Sequence, residues 1–344
     1  MTLLSLATHA GLRQRRDMNP IAIIGAGMAG LACGLALAEA GREVVLFDKG
    51  RRPGGRIATR RAEGASFDHG AQYATVRGTG LASWMQRLAM AGTVAAWPPA
   101  RRGSDIAWVG VPGMSALPGA MARQLQSLGA QFHAERHVAF IHANRLRHFP
   151  AASVKPGFVS DQDGDLTEAF DAVLLAVPAP QAVPLLAAIQ HPFTQPAAAT
   201  VTAPCWAVMA SFAERIPAPD CQRPSEGPLA WIARDSGRPG HAPQPDAWVL
   251  HASAAWTRAH LEDPADSVTE ALLGAFRQIV GTDAVPLSVA GHRWRHALVE
   301  RPLGHPCLWD AATRIGACGD WCLGHRVEAA FDSGTALAHA VLGR

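Results

Sequence analysis

The chain has 344 residues, of which 49% are hydrophobic and 17% charged, with a formal net charge of +3. That length suggests two domains, and that balance excludes an intrinsically disordered chain. The small positive excess, part of it in Arg13, Arg15 and Arg16, forms no basic stripe interleaved with aromatics, which argues against a nucleic-acid surface.

Residues 1–18 read as a flexible extension ahead of the fold, with Met18 as an alternative start. Their positive charges follow the apolar stretch, the reverse of a secretory signal. Ile21 to Ile24 is a short apolar run, as in a parallel strand buried on both faces. Gly25 ends it, a helix is expected from Met28 to Ala40, and Gly41 stops that helix. Val44 to Phe47 is the next strand, with Asp48 at its end, which completes a β-α-β unit. Residues 21–41 are long enough for a bilayer. Glycines at phosphate-turn spacing divide them into a strand and a helix, so no membrane span is expected.

Residues 112–130 read as a turn and a helix ending at Gly129, and 131–149 as extended chain. Asp163-Gly164 is a hairpin turn. It leads to a buried strand, Val173 to Val177, stopped by Pro178. From about 183 to 305 Pro and Trp become frequent, and Ala247 to His251 reads as an isolated strand. Residues 265–280 read as an amphipathic helix with Val268, Leu272, Leu273, Phe276 and Ile279 on its apolar face. Arg314 to Cys318 is a last strand, and 328–342 an Ala-rich helix. None of the six cysteines forms a Cys-x-x-Cys pair, which fits free thiols in a reducing cytoplasm.

Gly25-Ala26-Gly27-Met28-Ala29-Gly30 matches G-x-G-x-x-G between a strand and a helix, and Asp48 follows 18 residues after Gly30. Gly25 permits the tight turn, Gly27 clears room for a pyrophosphate, and Gly30 lets the helix approach the sheet. The helix N-terminus offers N–H groups to the phosphates, and Asp48 suits ribose hydroxyls. This fingerprint does not separate NAD from FAD. Gly54-Gly55-Arg56 can bring a guanidinium to the pyrophosphate. Gly319-Asp320, ahead of the Arg326–Ala330 helix start, can hold a ribityl chain and aim a helix dipole at a flavin edge. Together these favour FAD.

Those elements, with Asp48-Lys49, Asp68-His69-Gly70-Ala71-Gln72-Tyr73, Trp294-Arg295-His296 and the Val249-Leu250-His251 strand, resemble renalase and its bacterial relatives in the flavin amine oxidase superfamily. The resemblance runs from about Pro20 to the end. It implies an α/β, two-domain fold: a Rossmann-like FAD-binding domain of p-hydroxybenzoate-hydroxylase-like topology and an interleaved substrate domain with an antiparallel sheet. The FAD-binding domain would take 19–80, 112–182 and 308–344, and the substrate domain 81–111 and 183–307.

The resemblance also implies non-covalent FAD and oxidation of dihydropyridine isomers of NAD(P)H reduced at the ring 2- or 6-position. Oxygen would take the electrons as hydrogen peroxide. The matching site residues are Tyr73, His251 and Trp294, with Trp231, Arg234 and Ser236 as weaker candidates for the pocket. The cofactor-binding set is Gly25, Gly27, Met28, Ala29, Gly30, Asp48, Lys49, Gly55, Arg56, Gln72, Val138, Gly319, Asp320, Val327 and Glu328. His69 stands where an apolar residue is expected, and Ala329 where a glycine is expected.

Two other readings stay open. One is a true amine oxidase, although that family commonly places a lysine near the flavin and this chain has only Lys49 and Lys155. The other is a non-catalytic flavin-binding redox sensor or scaffold, with Cys318 and Cys322 flanking Gly319-Asp320. The spaced pairs His133/His137 and His292/His296 lack the accompanying glutamate of a helical zinc site, so no metal is expected. If residues 1–17 lie outside the fold, deleting them leaves the ratio of bound flavin to protein unchanged. A fall in that ratio, read from the absorbance spectrum, would contradict the assignment.

Overall fold

In a computed structural model, the structure describes residues 19–153 and 164–344. The extension at 1–18 and the residue Asp163 of the expected hairpin turn lie outside that range. The first unit is strand β1 (Ile21–Ile24), helix α1 (Met28–Glu39) and strand β2 (Val44–Phe47). Helices α2 (Thr79–Met90) and α3 (Ala116–Ser127) lead to β3 (Gln131–His133). Strand β4 (Ala172–Leu175) follows. Next come β5 (Val201–Phe212), β6 (Cys221–Gln222), β7 (Leu229–Arg234) and β8 (Asp246–Ala252). Helix α4 (Ala265–Val280) and strand β9 (Ser288–Arg301) follow. The chain closes with β10 (Leu308–Asp310), β11 (Ile315–Ala317) and α5 (Val327–Leu342).

One sheet has the order β10–β11–β4–β1–β2–β3, parallel except for the pairing of β10 with β11. Its central strands β1, β2 and β4 are buried at every position, which is why they read as continuous apolar runs. This is the Rossmann-like half of a mixed α/β, two-domain fold.

The second sheet is antiparallel, in the order β6–β7–β8–β5–β9. Side chains alternate between its faces. Trp206, Val208, Ala210, Trp248 and Leu250 pack on Val268, Leu272 and Phe276 of α4. Ile279, expected on that apolar face, is 39% exposed near the helix end. The run Ala247 to His251 is not isolated: β8 is flanked by β7 and β5.

Leu81, Trp84 and Met85 of α2, with Val94, Trp97 and Val109, share one core with Leu31 and Leu35 of α1. The same core takes in Trp231 and Ala233 of β7, so the segment 81–111 packs between the two halves.

Two close approaches, one within the first turn and one between the ends of the chain, exclude a side chain. A Cβ on Gly30 would stand 1.9 Å from the Gly25 carbonyl oxygen, and one on Gly334 of α5 would stand 2.0 Å from that of Ala29. Only hydrogen fits at either place. Gly334→Ala should therefore lower the free energy of unfolding by at least about 1–3 kcal/mol through overpacking. Urea denaturation reads this directly, and an unchanged midpoint would show that α1 and α5 can move apart freely.

Candidate functional site

The turn after β1 forms a cradle. Gly25 has φ +106°, a conformation suited to glycine, and nothing lies within 4 Å of a Cβ built on Gly27. Asp48 accepts the Ala26 N–H on one carboxylate oxygen (2.6 Å) and the Gly50 N–H on the other (2.6 Å). Burial pushes its pKa up, against the pull of those two bonds. The Gly54 N–H donates to the Ala26 carbonyl (2.8 Å), and a Cβ on Gly55 would come 3.7 Å from Gly27 Cα. The Arg51–Arg56 loop thus lies over the glycine turn. Arg56 then grips Asp320 with two parallel bonds (2.8 and 2.7 Å) and also reaches the His296 and Ala297 carbonyls. Such a fork is strong and fixes orientation. The cradle can take a pyrophosphate at Gly27 and hydroxyls at Asp48 and Asp320.

Other members of the cofactor set stand differently. Met28, Ala29 and Val138 are buried and offer only main chain or apolar surface. Lys49 sits beside Asp48, close enough to lower its pKa. Gln72 is fully engaged: its amide donates to the Asp68 and Gly70 carbonyls and accepts from Trp231 (2.8 Å) and Arg238 (2.5 Å). The Glu328 carboxylate accepts the N–H groups of Arg77 (2.7 Å) and Gly78 (2.6 Å) and pairs with Arg326. It ties the start of α5 to the chain entering α2, so the side chains of Gln72 and Glu328 are both held by protein partners. At the start of α5, Val327 and Glu328 still present main-chain N–H groups, since the first intrahelical bond is made by Ala330.

The second sheet turns its other face to this cradle. Trp231, His251, Ala207 and His292 lie abreast on β7, β8, β5 and β9, and Trp294 lies opposite Cys205, two residues along. One peptide group organises them. The His69 carbonyl accepts Trp294 Nε1–H (2.9 Å) and bonds His251 Nε2 (3.0 Å). A carbonyl can only accept, so Nε2 of His251 carries the proton and Nδ1 keeps its lone pair. Burial pushes His251 down to about 4. Burial and neighbouring His292 push His69 to about 4 also. Both rings are neutral near pH 7. The His69 ring tilts against Trp294 (centroids 5.1 Å apart) and stands edge-on to His292 (4.9 Å). Tyr73 meets Trp231 at 5.7 Å.

Arg234 and Ser236 are not on this face. Arg234 is fully buried, bonds Asp220, Asp246 and the Ile216 and Ala218 carbonyls, and lies 4.2 Å over Trp248. Ser236 donates to Asp246 (2.9 Å). Period-two alternation sends Arg234 to the α4 side, so both pocket assignments are corrected.

Sequence reasoning missed the support beneath Tyr73. Arg238 donates to Asp235 and to the Gln72 main-chain carbonyl (2.6 Å), and Asp235 accepts the Asp68 N–H (2.5 Å). Asp68 accepts from Thr59 (2.6 Å) and from the Met114 N–H (2.8 Å). These partners are far apart in sequence, and no local motif marks Arg238. Among the described residues no group of three or more His, Cys, Asp or Glu could hold a metal ion, and no helix is long and apolar enough to cross a membrane.

Comparison with known proteins places this geometry. Residues 23–88 match the NAD(P)-binding Rossmann-like domain, and residues 78–342 match the flavin containing amine oxidoreductases. The L-amino acid oxidase of Cerastes cerastes is 43% identical over 56 residues, 16% of this chain and 11% of that protein. That of Demansia vestigiata is 43% identical over 58 residues, 17% of this chain and 11% of that protein. The chain therefore matches about a tenth of the length of these relatives. Among solved structures, a protein of Exiguobacterium sp. 255-15 provisionally named a protoporphyrinogen oxidase superposes with TM-score 0.70 at 14% identity, covering 95% of this chain and 100% of the other. A putrescine oxidase variant superposes with TM-score 0.65 at 15% identity, covering 95% and 99%. At these identities the likeness is one of fold.

Removing Arg238 would leave Asp235 as an uncompensated buried charge and Asp68 with His241 as its remaining ionic neighbour. Arg238→Met is expected to cost about 3–5 kcal/mol of stability, measured by chemical denaturation. A cost below about 1 kcal/mol would mean that Asp235 is not held as an ion.

Proposed function

The chain belongs to the flavin containing amine oxidoreductase family, and from that premise we propose that it oxidises dihydropyridine isomers of NAD(P)H, those reduced at the ring 2- or 6-position. The products are ordinary NAD(P)+ and hydrogen peroxide. The family match implies FAD as the cofactor. In this reading Gly25, Gly27, Gly30, Asp48, Lys49, Gly55, Arg56, Gly319, Asp320 and the start of α5 at Val327 hold it without a covalent link. The open space at Gly27 and the glycine pair Gly27/Gly55 fit such a group. Bound FAD supplies the hydride acceptor, and oxygen then carries the electrons away.

The observation that carries the reading is the row of neutral imidazole and indole rings on the second sheet. Loss of hydride restores aromaticity to a dihydropyridine, so no proton need be removed from carbon. The protein has to stack and orient the ring. Trp231, Trp294 and Tyr73 supply flat walls. His251 Nδ1 supplies an acceptor for the carboxamide N–H, and the His69 carbonyl keeps that tautomer in place.

An amine substrate finds less here. Lys49 sits with Asp48, Lys155 lies outside the described residues, and a single tyrosine cannot form a two-tyrosine cage. A thiol-based sensor finds less still. Cys318 and Cys322 are buried and pushed well up by that burial, with Cys33 acting first on Cys318, so both stay protonated and unreactive.

The test is anaerobic mixing with borohydride-reduced NAD+, which contains the 2-, 4- and 6-dihydro isomers, while flavin absorbance is followed. Rapid bleaching by a minor isomer, with ordinary NADH inert, is expected. Bleaching by a panel of small amines and by no dihydropyridine would replace this reading with an amine oxidase.

A further inference from the structure

We propose that Arg223 recognises the anionic, phosphate-bearing part of the substrate and so sets specificity at this site; the inference rests on the reading above and deepens it. The register places Arg223. Strand β6 pairs with β7 through Cys221 opposite Ala233 and Gln222 opposite Ile232, so the next residue falls beside Trp231. Its guanidinium carbon lies 4.6 Å from the Trp231 ring centroid. The row across the sheet is therefore Arg223, Trp231, His251, Ala207 and His292, with a fixed positive charge at one end.

Among the described residues that charge has no counter-ion. Arg223 donates to the Ala100 carbonyl (2.7 Å), and its Nε is buried without an acceptor among the described residues. Asp220, the nearby carboxylate on the same segment, is held by Arg234 and Arg215. Arg102 and Arg238 lie close enough that, with Arg223, they act together on the Cys221 thiol. Arg238 is held by Asp235, which leaves Arg223 as the charge at this end of the row, where it repels a cationic amine and attracts a polyanion.

Guanidinium geometry suits phosphate oxygens, and stacking on an indole holds its plane. Adjacent strands are about 4.8 Å apart, so Arg223 lies two steps, roughly 10 Å, from His251. A ribose phosphate attached to a ring at His251 can cover that span. The carboxamide then meets the neutral acceptor at His251 while the phosphate meets Arg223. Neither contact discriminates between the ring isomers, and the one at Arg223 favours a dinucleotide over a bare ring.

The experiment uses the flavin-loaded protein and the variants Arg223→Ala, Arg223→Lys and Arg223→Met, the last keeping an aliphatic cover on Trp231. Each is given dihydro isomers of NAD+ and, separately, dihydro isomers of N-methylnicotinamide, which carry no phosphate. KM for the dinucleotide should rise about 10- to 100-fold in the Ala and Met variants, the loss of hydrogen bonds to a charged group. KM for the phosphate-free ring should move less than about 2-fold, and Lys should restore part of the dinucleotide affinity. Equal shifts for both substrates, or none, would overturn the proposal.

A second measurement separates this from the reaction itself. NAD+ and N-methylnicotinamide are titrated into the oxidised protein, with flavin absorbance as the readout. If no dihydropyridine reduces the flavin, NAD+ binding that is lost in Arg223→Ala still upholds anion recognition by Arg223. NAD+ binding that is equal in wild type and variant, or absent from wild type, refutes it.

Discussion

The contact of α5 with α1, backbone against backbone at Gly334 and Ala29, is the constraint on which the rest of the structure depends. It allows the last helix to lie against the first. The strand ahead of that helix, β11, then lines up beside β4 in the parallel sheet, and Gly319-Asp320 arrives next to the glycine turn after β1. Arg56 closes the arrangement by gripping Asp320 across 264 residues of sequence. A cradle built from both ends of a chain needs this closeness, because a methyl group at Gly334 would meet the Ala29 carbonyl oxygen at 2.0 Å.

The loop from Asp68 to Tyr73 joins the cradle to the second sheet, and buried charge holds it. Asp68, Asp235 and Arg238 are all enclosed, and each finds hydrogen-bond partners among the others or on Gln72. Hydrophobic side chains would stabilise such a place at least as well, whereas a fixed set of ionic partners selects one loop conformation. With that conformation set, the His69 carbonyl points where it can hold Trp294 and His251 together. The histidine at position 69, in place of an apolar residue, adds a ring packed against Trp294 and His292.

The electrostatics of the sheet face follow from burial. Imidazoles taken out of water lose protons more readily, so His69, His251 and His292 present polar but uncharged surfaces. The fixed charge on that row belongs to Arg223 at its edge. In the function proposed above, this face orients a flat, neutral ring that carries an anionic tail.

Features that depend on neighbours in sequence were legible without a structure. The glycine turn, the acid at the end of β2, the helix Ala265–Val280 and the closing strand and helix all follow from local periodicity and from backbone geometry that only glycine adopts easily. Long, partly exposed strands such as Ser288–Arg301 were not legible, because their side chains alternate between a core and a site that both contain aromatics and arginines. The two faces of β7 show the difference. Trp231 and Arg234 stand three residues apart in one motif, yet one faces the candidate site and the other a buried ion pair. Composition made both plausible in a pocket, and only pairing with β8, which fixes the phase of alternation, decided between them. The sequence by itself determined the glycine turn after β1 and the acid at the end of β2, since these are built from residues close together in the chain. The tertiary structure alone decided which rings and charges share the opposite wall, since that wall is made of residues from five strands and one distant loop.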